Sequence, residues 1–408
     1  MTAIRSGLVA PIAALAAAFA GGLATLPLPA SAASAVALEA CVSDIRREAV
    51  AAGVPQKLAD QALGGVKYDE KAVRFSRTQP EYKTEIWDYM AFLVDAERIR
   101  DGRALMKRHQ TLLAQVQKRV GVDRHIVAAL WGVETDYGRK KGDFFIPHAL
   151  ANVVCLSGRR ASYFKGELIT ALKIVAAGDL RLKDLQGSWA GAFGQTQFMP
   201  STYRRLAVDF DGNGRKDLVN SEADALASAA NYLKKAGWNN RLPWGFEVHL
   251  PKGYNGPSGR KKRASLSTWA KRGITHIDGT PVQGAYSAGL LLPAGRNGPA
   301  FLVTKNFDAL YSYNVAESYA LAIGHLSDRL RGHGPLEAKW PTDDPGLSRA
   351  QRLDLQKRLL LNGYNIGKAD GLIGPVTQDA IRKAEIRLGM EPTGRPGTKI
   401  YRALGGNR

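Results

Sequence analysis

The sequence predicts a mainly α-helical protein with a small β insertion and a separate compact unit at its C-terminus, and three observations carry that reading. Apolar residues recur at helical spacing from residue 35 to about residue 130, as in Ile86, Met90, Leu93 and Val94. Between Pro243 and Thr304 the composition shifts to Gly, Pro and short apolar runs, "FEVHL" (246–250), "GLLL" (289–292) and "FLVT" (301–304), which read as strands. The stretch "GHGPLEAKWPTDDPG" (332–346) holds three prolines and three glycines, the composition of a linker.

The elements follow in order. Arg5 precedes an Ala-rich apolar run over residues 8–26, then Pro27 and Pro29, then Ala30-Ser31-Ala32. The small-x-small ending predicts an export signal over residues 1–32; a retained membrane anchor is the competing reading. Residues 33–333 form the body. One of its helices begins near Asp123, a good N-cap after Gly121, and carries Ile126, Val127, Leu130, Trp131 and Val133. Further helices fit residues 163–176 and 223–235, the second closed by Gly237, and helical spacing resumes at Ala316. After a linker at 334–346, residues 347–408 are few but enough to fold alone.

Composition bounds the chemistry. The chain has 408 residues, 45% hydrophobic and 23% charged, as expected of a globular protein with more than one domain. Cys41 and Cys155 are its only cysteines, which excludes a zinc cage or a disulfide-rich scaffold. They either bridge across a long loop or remain two buried thiols. The formal net charge of +20 points to acidic partners, nucleic acid among them, or to a soluble basic surface.

Glu134, within "ALWGVETDYG" (129–138), is the residue whose position asks for an explanation. On a helix over 123–137 it lies one turn from Leu130, Trp131 and Tyr137, so its carboxyl is expected to be poorly solvated and largely neutral. A carboxyl of that kind donates a proton near neutral pH, whereas a solvated or ion-paired Glu does not. "GSWAGAFGQTQFMPST" (187–202) adds a backbone of small residues with Ser188, Gln195, Gln197 and Ser201 as neutral hydrogen-bonding groups. Such groups suit a sugar with hydroxyl and acetamido substituents, though small residues also serve tight packing. "DFDGNGRKDLVNSEAD" (209–224) spaces oxygen ligands at Asp209, Asp211, Asn213 and Asp217, with Arg215 offering a backbone carbonyl and Gly214 at the sixth position of a calcium-type loop. Asn220 at the twelfth position departs from that pattern, and a simple Asx-turn loop is the alternative.

Six stretches, "GVETDYG", "SGRRASYFKGEL" (157–168), "GSWAGAFGQTQFMPST", "DFDGNG" (209–214), "ANYLKKAGW" (230–238) and "YSYNVAESYALAIGHL" (311–326), resemble in content and order the lytic transglycosylase B family of cell-wall enzymes. The resemblance spans roughly 35–333. It implies a lysozyme-like α-helical fold and cleavage of the β-1,4 bond between N-acetylmuramic acid and N-acetylglucosamine. By the same resemblance Glu134 matches the single catalytic acid/base and Ser188 the serine that positions it. Gln197, Tyr313 and Asn314 match residues lining the cleft, Arg159, Arg160 and Tyr163 fall where the glycan or its peptide is held, and Tyr232 is a further candidate. Asp224 is the carboxylate expected to close the calcium loop.

Residues 347–390 resemble a peptidoglycan-binding domain of three short helices, with "DGLIGPVTQDAIRKAE" as the most specific stretch. Asp370 and Gly371 suit its tight turn and Pro375 the first turn of the next helix. The expected partners are therefore peptidoglycan glycan strands, with envelope proteins as further candidates, a monomeric state, no nucleic acid and a periplasmic location. No cofactor is expected for the chemistry, and calcium is expected in a structural role.

Ordinary glycosidases use two carboxylates. Asp136, two positions from Glu134, points elsewhere on a helix, so a scheme with one carboxylate and an anhydro product is expected. A hydrolytic muramidase and a non-catalytic wall-binding scaffold are the alternatives.

Overall fold

The computed structural model describes residues 30–77, 84–158 and 160–407, with side chains from residue 37. The expected export signal lies outside these residues except for the backbone of its last three. Seventeen helices and seven strands occur among the described residues. The first group is α1 (Ala30–Ala51), α2 (Gln56–Leu63), α3 (Glu70–Arg77), α4 (Ile86–Leu93), α5 (Ala96–Arg108), α6 (Gln110–Val120) and α7 (Arg124–Thr135). Next come β1 (Phe144–Phe145), α8 (Ile146–Leu156), α9 (Ala161–Ala176), β2 (Gln186–Gly187), α10 (Pro200–Leu206) and α11 (Glu222–Lys235). The insertion holds β3 (Gly245–His249), β4 (Arg263–Ser265), α12 (Leu266–Lys271), β5 (Thr275–His276), β6 (Ser287–Leu291) and β7 (Ala300–Val303). It is followed by α13 (Lys305–Asn314) and α14 (Glu317–Arg331), then α15 (Arg349–Leu361), α16 (Pro375–Arg387) and α17 (Thr398–Ala403). No helix of the described residues is long and apolar enough to cross a membrane.

Two helical cores flank the middle of the body. One gathers α4–α7, α11, α13 and α14 around Trp131, Trp244, Phe307 and Tyr319; the other gathers α1, α2, α8, α9 and α10 around Ile45, Leu150, Leu172 and Phe193. Tyr232 and Tyr313 pack against both, which places them at the junction. Cys41 and Cys155 form a disulfide that ties α1 to α8 inside the second core, resolving the alternative left open by their number.

Helix α7 forms for the reasons its sequence offers. The Asp123 carboxylate accepts hydrogen bonds from the backbone N–H groups of His125 and Ile126, and residues 126–132 are all buried. A helix apolar on nearly every side belongs inside a core.

The β insertion contains five antiparallel strands in the order β4-β6-β7-β3-β5, two more than the three apolar runs predict, together with the short helix α12. Strand β7 explains why its run is continuous rather than alternating. Phe301 and Val303 face the first helical core, while Ala300 and Leu302 face a separate core around Trp269, so both faces are covered.

The segment before the C-terminal unit is tied down. The Glu247 carboxylate accepts the backbone N–H groups of Glu337 and Ala338 at 3.0 and 2.9 Å. The unit itself begins with a capping box between Ser348 and Gln351. Its turn is held by the buried Gln356, whose side-chain oxygen accepts from the N–H groups of Asp370 and Gly371 at 2.9 and 2.6 Å. Gly371 has φ +77°, a left-handed conformation natural to glycine, and Pro375 opens α16 as expected.

Candidate active site

Glu134 is the penultimate residue of α7, and the helix stops sharply after it. Asp136, Tyr137 and Gly138 have φ of +53°, +61° and +82°, three consecutive left-handed residues of which two carry side chains. The sequence expectation of a helix through Tyr137 is therefore corrected. The chain reverses after Thr135 because tertiary contacts hold the turn. Tyr137 folds back so closely on Gly132 that a Cβ there would lie 2.7 Å from its ring, and its hydroxyl donates to the Arg98 carbonyl at 3.0 Å. The Thr135 hydroxyl donates to the Gln195 carbonyl at 2.6 Å and accepts from the Gly138 N–H.

That bond to Gln195 ties Glu134 to the "GSWAGAFGQTQFMPST" stretch. There the chain doubles back, with Phe193 paired to both Gly187 and Phe198. Gly194, at φ +76°, lies so near the Leu218 carbonyl that a Cβ would come within 2.7 Å of it. Gln197 takes φ +50°, and its side-chain amide donates to the carbonyls of Lys141 and Gly194 at 3.0 and 2.9 Å. Tyr313, from α13, donates its hydroxyl to the Thr196 carbonyl at 2.7 Å. The loop, α7 and α13 thus converge on one wall.

Tyr319, from α14, donates its hydroxyl to the Glu134 carboxylate. The ring of Tyr313 stacks on that of Tyr319, with centroids 6.2 Å apart and planes 17° from parallel. Burial, and after it the charge of Glu134, push both phenols well above their ordinary range, so both stay protonated. Tyr232 stands 4.6 Å from Tyr313 and donates its hydroxyl to the Ser312 carbonyl. The sequence expectation of a neutral Glu134 counts only apolar neighbours. The structure adds a polar partner, the Tyr319 hydroxyl. Tyr319 was not singled out from the sequence, although it lies within the same stretch as Tyr313 and Asn314.

Asp136 is engaged by arginines. Its carboxylate accepts from Arg139 and from both terminal nitrogens of Arg349, at 3.0 and 2.7 Å, with Arg98 at 3.7 Å. Burial alone would raise its pKa, but the Arg139 and Arg349 hydrogen bonds outweigh that and hold it below the usual carboxylate range.

The remaining candidates are spread along a surface. The Ser188 hydroxyl accepts from the Ala192 N–H at 3.0 Å and lines a 570 Å³ groove between the body and the C-terminal unit. Phe144 and Trp189 form the body's side of that groove, and Lys368, Leu372 and Val376 the other. Trp189 also packs toward Phe164, next to Tyr163, over which the Arg160 guanidinium lies at 4.3 Å. Arg159 lies outside the described residues. Asn314 is exposed at the end of α13. Ser201, read from sequence as a polar group for a ligand, is instead committed to the Glu167 carboxylate, to which both its N–H and its hydroxyl donate.

In the Asp-rich loop, carboxylate oxygens of Asp209, Asp211 and Asp224 lie within 4.8 Å of one another, an all-oxygen set that suits a hard cation. Asp209 accepts the N–H groups of Gly212, Asn213 and Gly214, and the Asn213 side chain accepts that of Arg215. Asp224, fully buried, accepts from Phe210 and Asp217, and burial raises its pKa against these bonds. Asp217 caps the next turn, accepting from Val219 and Asn220.

The family model of the transglycosylase SLT domain matches residues 37–328. The chain belongs to the SLT transglycosylase family. A peptidoglycan binding domain model matches residues 348–404 of this SLT transglycosylase. The membrane-bound lytic murein transglycosylase B of Escherichia coli (strain K12) is 33% identical over 265 residues, covering 63% of this chain and 71% of that protein. SltB3 of Pseudomonas aeruginosa, solved in complex with NAG-anhNAM-pentapeptide, superposes with a TM-score of 0.73 at 40% identity, covering 90% of this chain and 99% of that one. Escherichia coli Slt35, solved in complex with calcium, gives a TM-score of 0.62 at 28% identity over 73% of this chain and 93% of that chain. The lysozyme-like, mostly helical fold and the lytic transglycosylase class follow from these matches.

Proposed function

We propose that this lytic transglycosylase cuts peptidoglycan with Glu134 as its only reacting carboxylate, in an exported, periplasmic setting. Glu134 protonates the glycosidic oxygen as the bond from C1 of N-acetylmuramic acid to that oxygen breaks. The substrate's acetamido group stabilises the cation at C1. Glu134, now ionised, takes the proton of the C6 hydroxyl while the C6 oxygen bonds to C1. The products are an N-acetylglucosamine end and a 1,6-anhydromuramyl end, with no water consumed.

The observation that carries this reading is the division of labour between Glu134 and Asp136. Asp136, the acidic side chain two residues away, is held by arginines, which makes it a poor base or nucleophile. Tyr319, protonated and buried against Glu134, supplies a donor that stabilises the carboxylate left after proton transfer. Tyr313, Tyr232, Gln197 and Asn314 are assigned to the cleft beside the acid. Arg159, Arg160 and Tyr163 are assigned to the glycan or its peptide, and Ser188, which the resemblance matches to the serine that positions the acid, to the substrate cleft. Asp209, Asp211, Asn213, Arg215, Asp217 and Asp224 are assigned to a structural calcium loop.

Mass spectrometry of digested sacculi tests the reaction. Anhydromuramyl ends are expected, and reducing ends heavier by one water would make the protein a muramidase. Glu134→Gln keeps the shape and removes the acid, so activity is expected to fall by about 10²- to 10⁴-fold. Unchanged sacculus clearance by that variant would point to a scaffold or a different acid.

A further inference from the structure

The C-terminal domain touches the turn that follows Glu134, and it does so with a charge. Arg349, the first residue of α15, places its two terminal nitrogens on the two oxygens of Asp136 at 2.7 and 3.0 Å, a bidentate fork. Asp136 is 6% exposed and takes φ +53°, with Tyr137 beside it at φ +61°. Side-chain-bearing residues stay in that region only when their surroundings over-determine them. On the body's own side the support is looser. Arg98 lies 3.7 Å from Asp136, and Arg139, although within 3.0 Å, has a side chain 48% exposed.

A second route runs through Asp95. Arg349 stands 3.8 Å from its Oδ2 atom, which is buried and has no hydrogen-bond partner. Asp95 caps α5 by accepting the N–H of Arg98, and the Arg98 side chain donates at 3.2 Å to the carbonyl of Gly132, inside α7. One route from Arg349 ends on the residue that closes the helix carrying Glu134, and the other ends in that helix's last turn.

We propose that Arg349 is a positioning residue for Glu134, so that docking of the wall-binding domain completes the active site as well as tethering the enzyme. The inference rests on the reading of Glu134 as the acid. A domain serving only as a tether has no need of a bidentate ion pair to a buried carboxylate two residues from that acid. The same domain is also held at a second point, where Arg395 donates to both oxygens of Asp88 on α4 at 2.6 Å. That second clasp provides a control.

The test uses full-length protein and a soluble tetrasaccharide-peptide fragment of peptidoglycan, for which tethering to a surface gives no gain. Arg349→Ala is expected to lower kcat about tenfold or more with KM nearly unchanged, because a small displacement of the acid is costly. Arg349→Lys keeps the charge without the fork and is expected to fall between Arg349→Ala and wild type. Arg395→Ala is expected to keep kcat near wild type. Wild-type kcat in both Arg349 variants would overturn the proposal, as would equal losses in Arg349→Ala and Arg395→Ala. If Arg349→Ala does not fold, Arg349→Lys alone decides by the same kcat criterion. Glu134→Gln, run alongside, separates the two readings: activity in that variant removes Glu134 as the acid, whereas an inactive Glu134→Gln with a fully active Arg349→Ala removes only Arg349's role.

Discussion

The turn at Asp136 and the loop at Asp209 both gather carboxylates, yet they satisfy them in different ways. At the turn the partners are guanidinium groups from two parts of the fold, Arg98 and Arg139 in the body and Arg349 in the C-terminal domain. In the loop Asp209, Asp211 and Asp224 accept from backbone N–H groups, and their three negative charges remain close together. The contrast shows in acidity: Asp136 is held below the usual range, whereas burial raises Asp224 despite its hydrogen bonds. The first cluster is neutralised by the protein itself. The second leaves room for a cation from outside.

The contrast is most exposed to failure where a charge is buried. Asp136→Ala removes the anion on which Arg349 forks and leaves the buried Arg98 with Asp95 alone, at 3.6 Å, so a loss of about 3–5 kcal/mol is expected in urea unfolding. Asp209→Ala opens N–H groups that water can reach and is expected to cost only about 1 kcal/mol without calcium. Equal losses would erase the distinction between the clusters. The next effect is that of calcium. At about a hundred times its Kd it is expected to add about 2.7 kcal/mol of stability, and Asp211→Asn is expected to abolish that gain. A calorimetric titration after chelation should show one site, and its absence would return the loop to a set of Asx turns.

Much of this was legible in the sequence where local physics decides. Asp123 announces the start of α7 because an N-cap depends on its nearest neighbours. The apolar run of β7 announces a strand, though not that both its faces are covered. The end of α7 was not legible. Nothing local marks Asp136 and Tyr137 for a left-handed conformation, since contacts with Arg98, Arg349 and Gln195 impose it. Tyr319 lies 185 residues from Glu134, and Arg349 lies 213 from Asp136. Periodicity says which face of a helix is buried, but not which hydroxyl or guanidinium from another helix will meet it. Resemblance singled out Glu134 as the proposed acid, and packing supplied what surrounds it.

Asp328 gives the smallest test of the contrast, because no guanidinium pairs with it and the nearest basic group, His333 Nδ1, stands 4.0 Å away. Burial pushes it up to about 6, and the Trp244 indole N–H, donating to it at 3.0 Å, only partly offsets that cost. The folded protein therefore holds this proton up to about pH 6, and the unfolded chain only to about pH 4. The resulting stability is full below the unfolded value and is lost as pH rises through about 6. Asp136 has the opposite sign: its contribution is present above the ordinary carboxylate range and is lost as pH falls through its depressed value. A shift of about two units in a fully buried group is worth about 3 kcal/mol, and a side chain 24% exposed brings the expected effect nearer 1–2 kcal/mol. Asp328→Asn keeps an acceptor for Trp244 and removes the titration. Its melting temperature, compared with wild type between pH 4 and 7, is expected to gain most at the upper end. A constant difference across that range would assign the burial cost to another group.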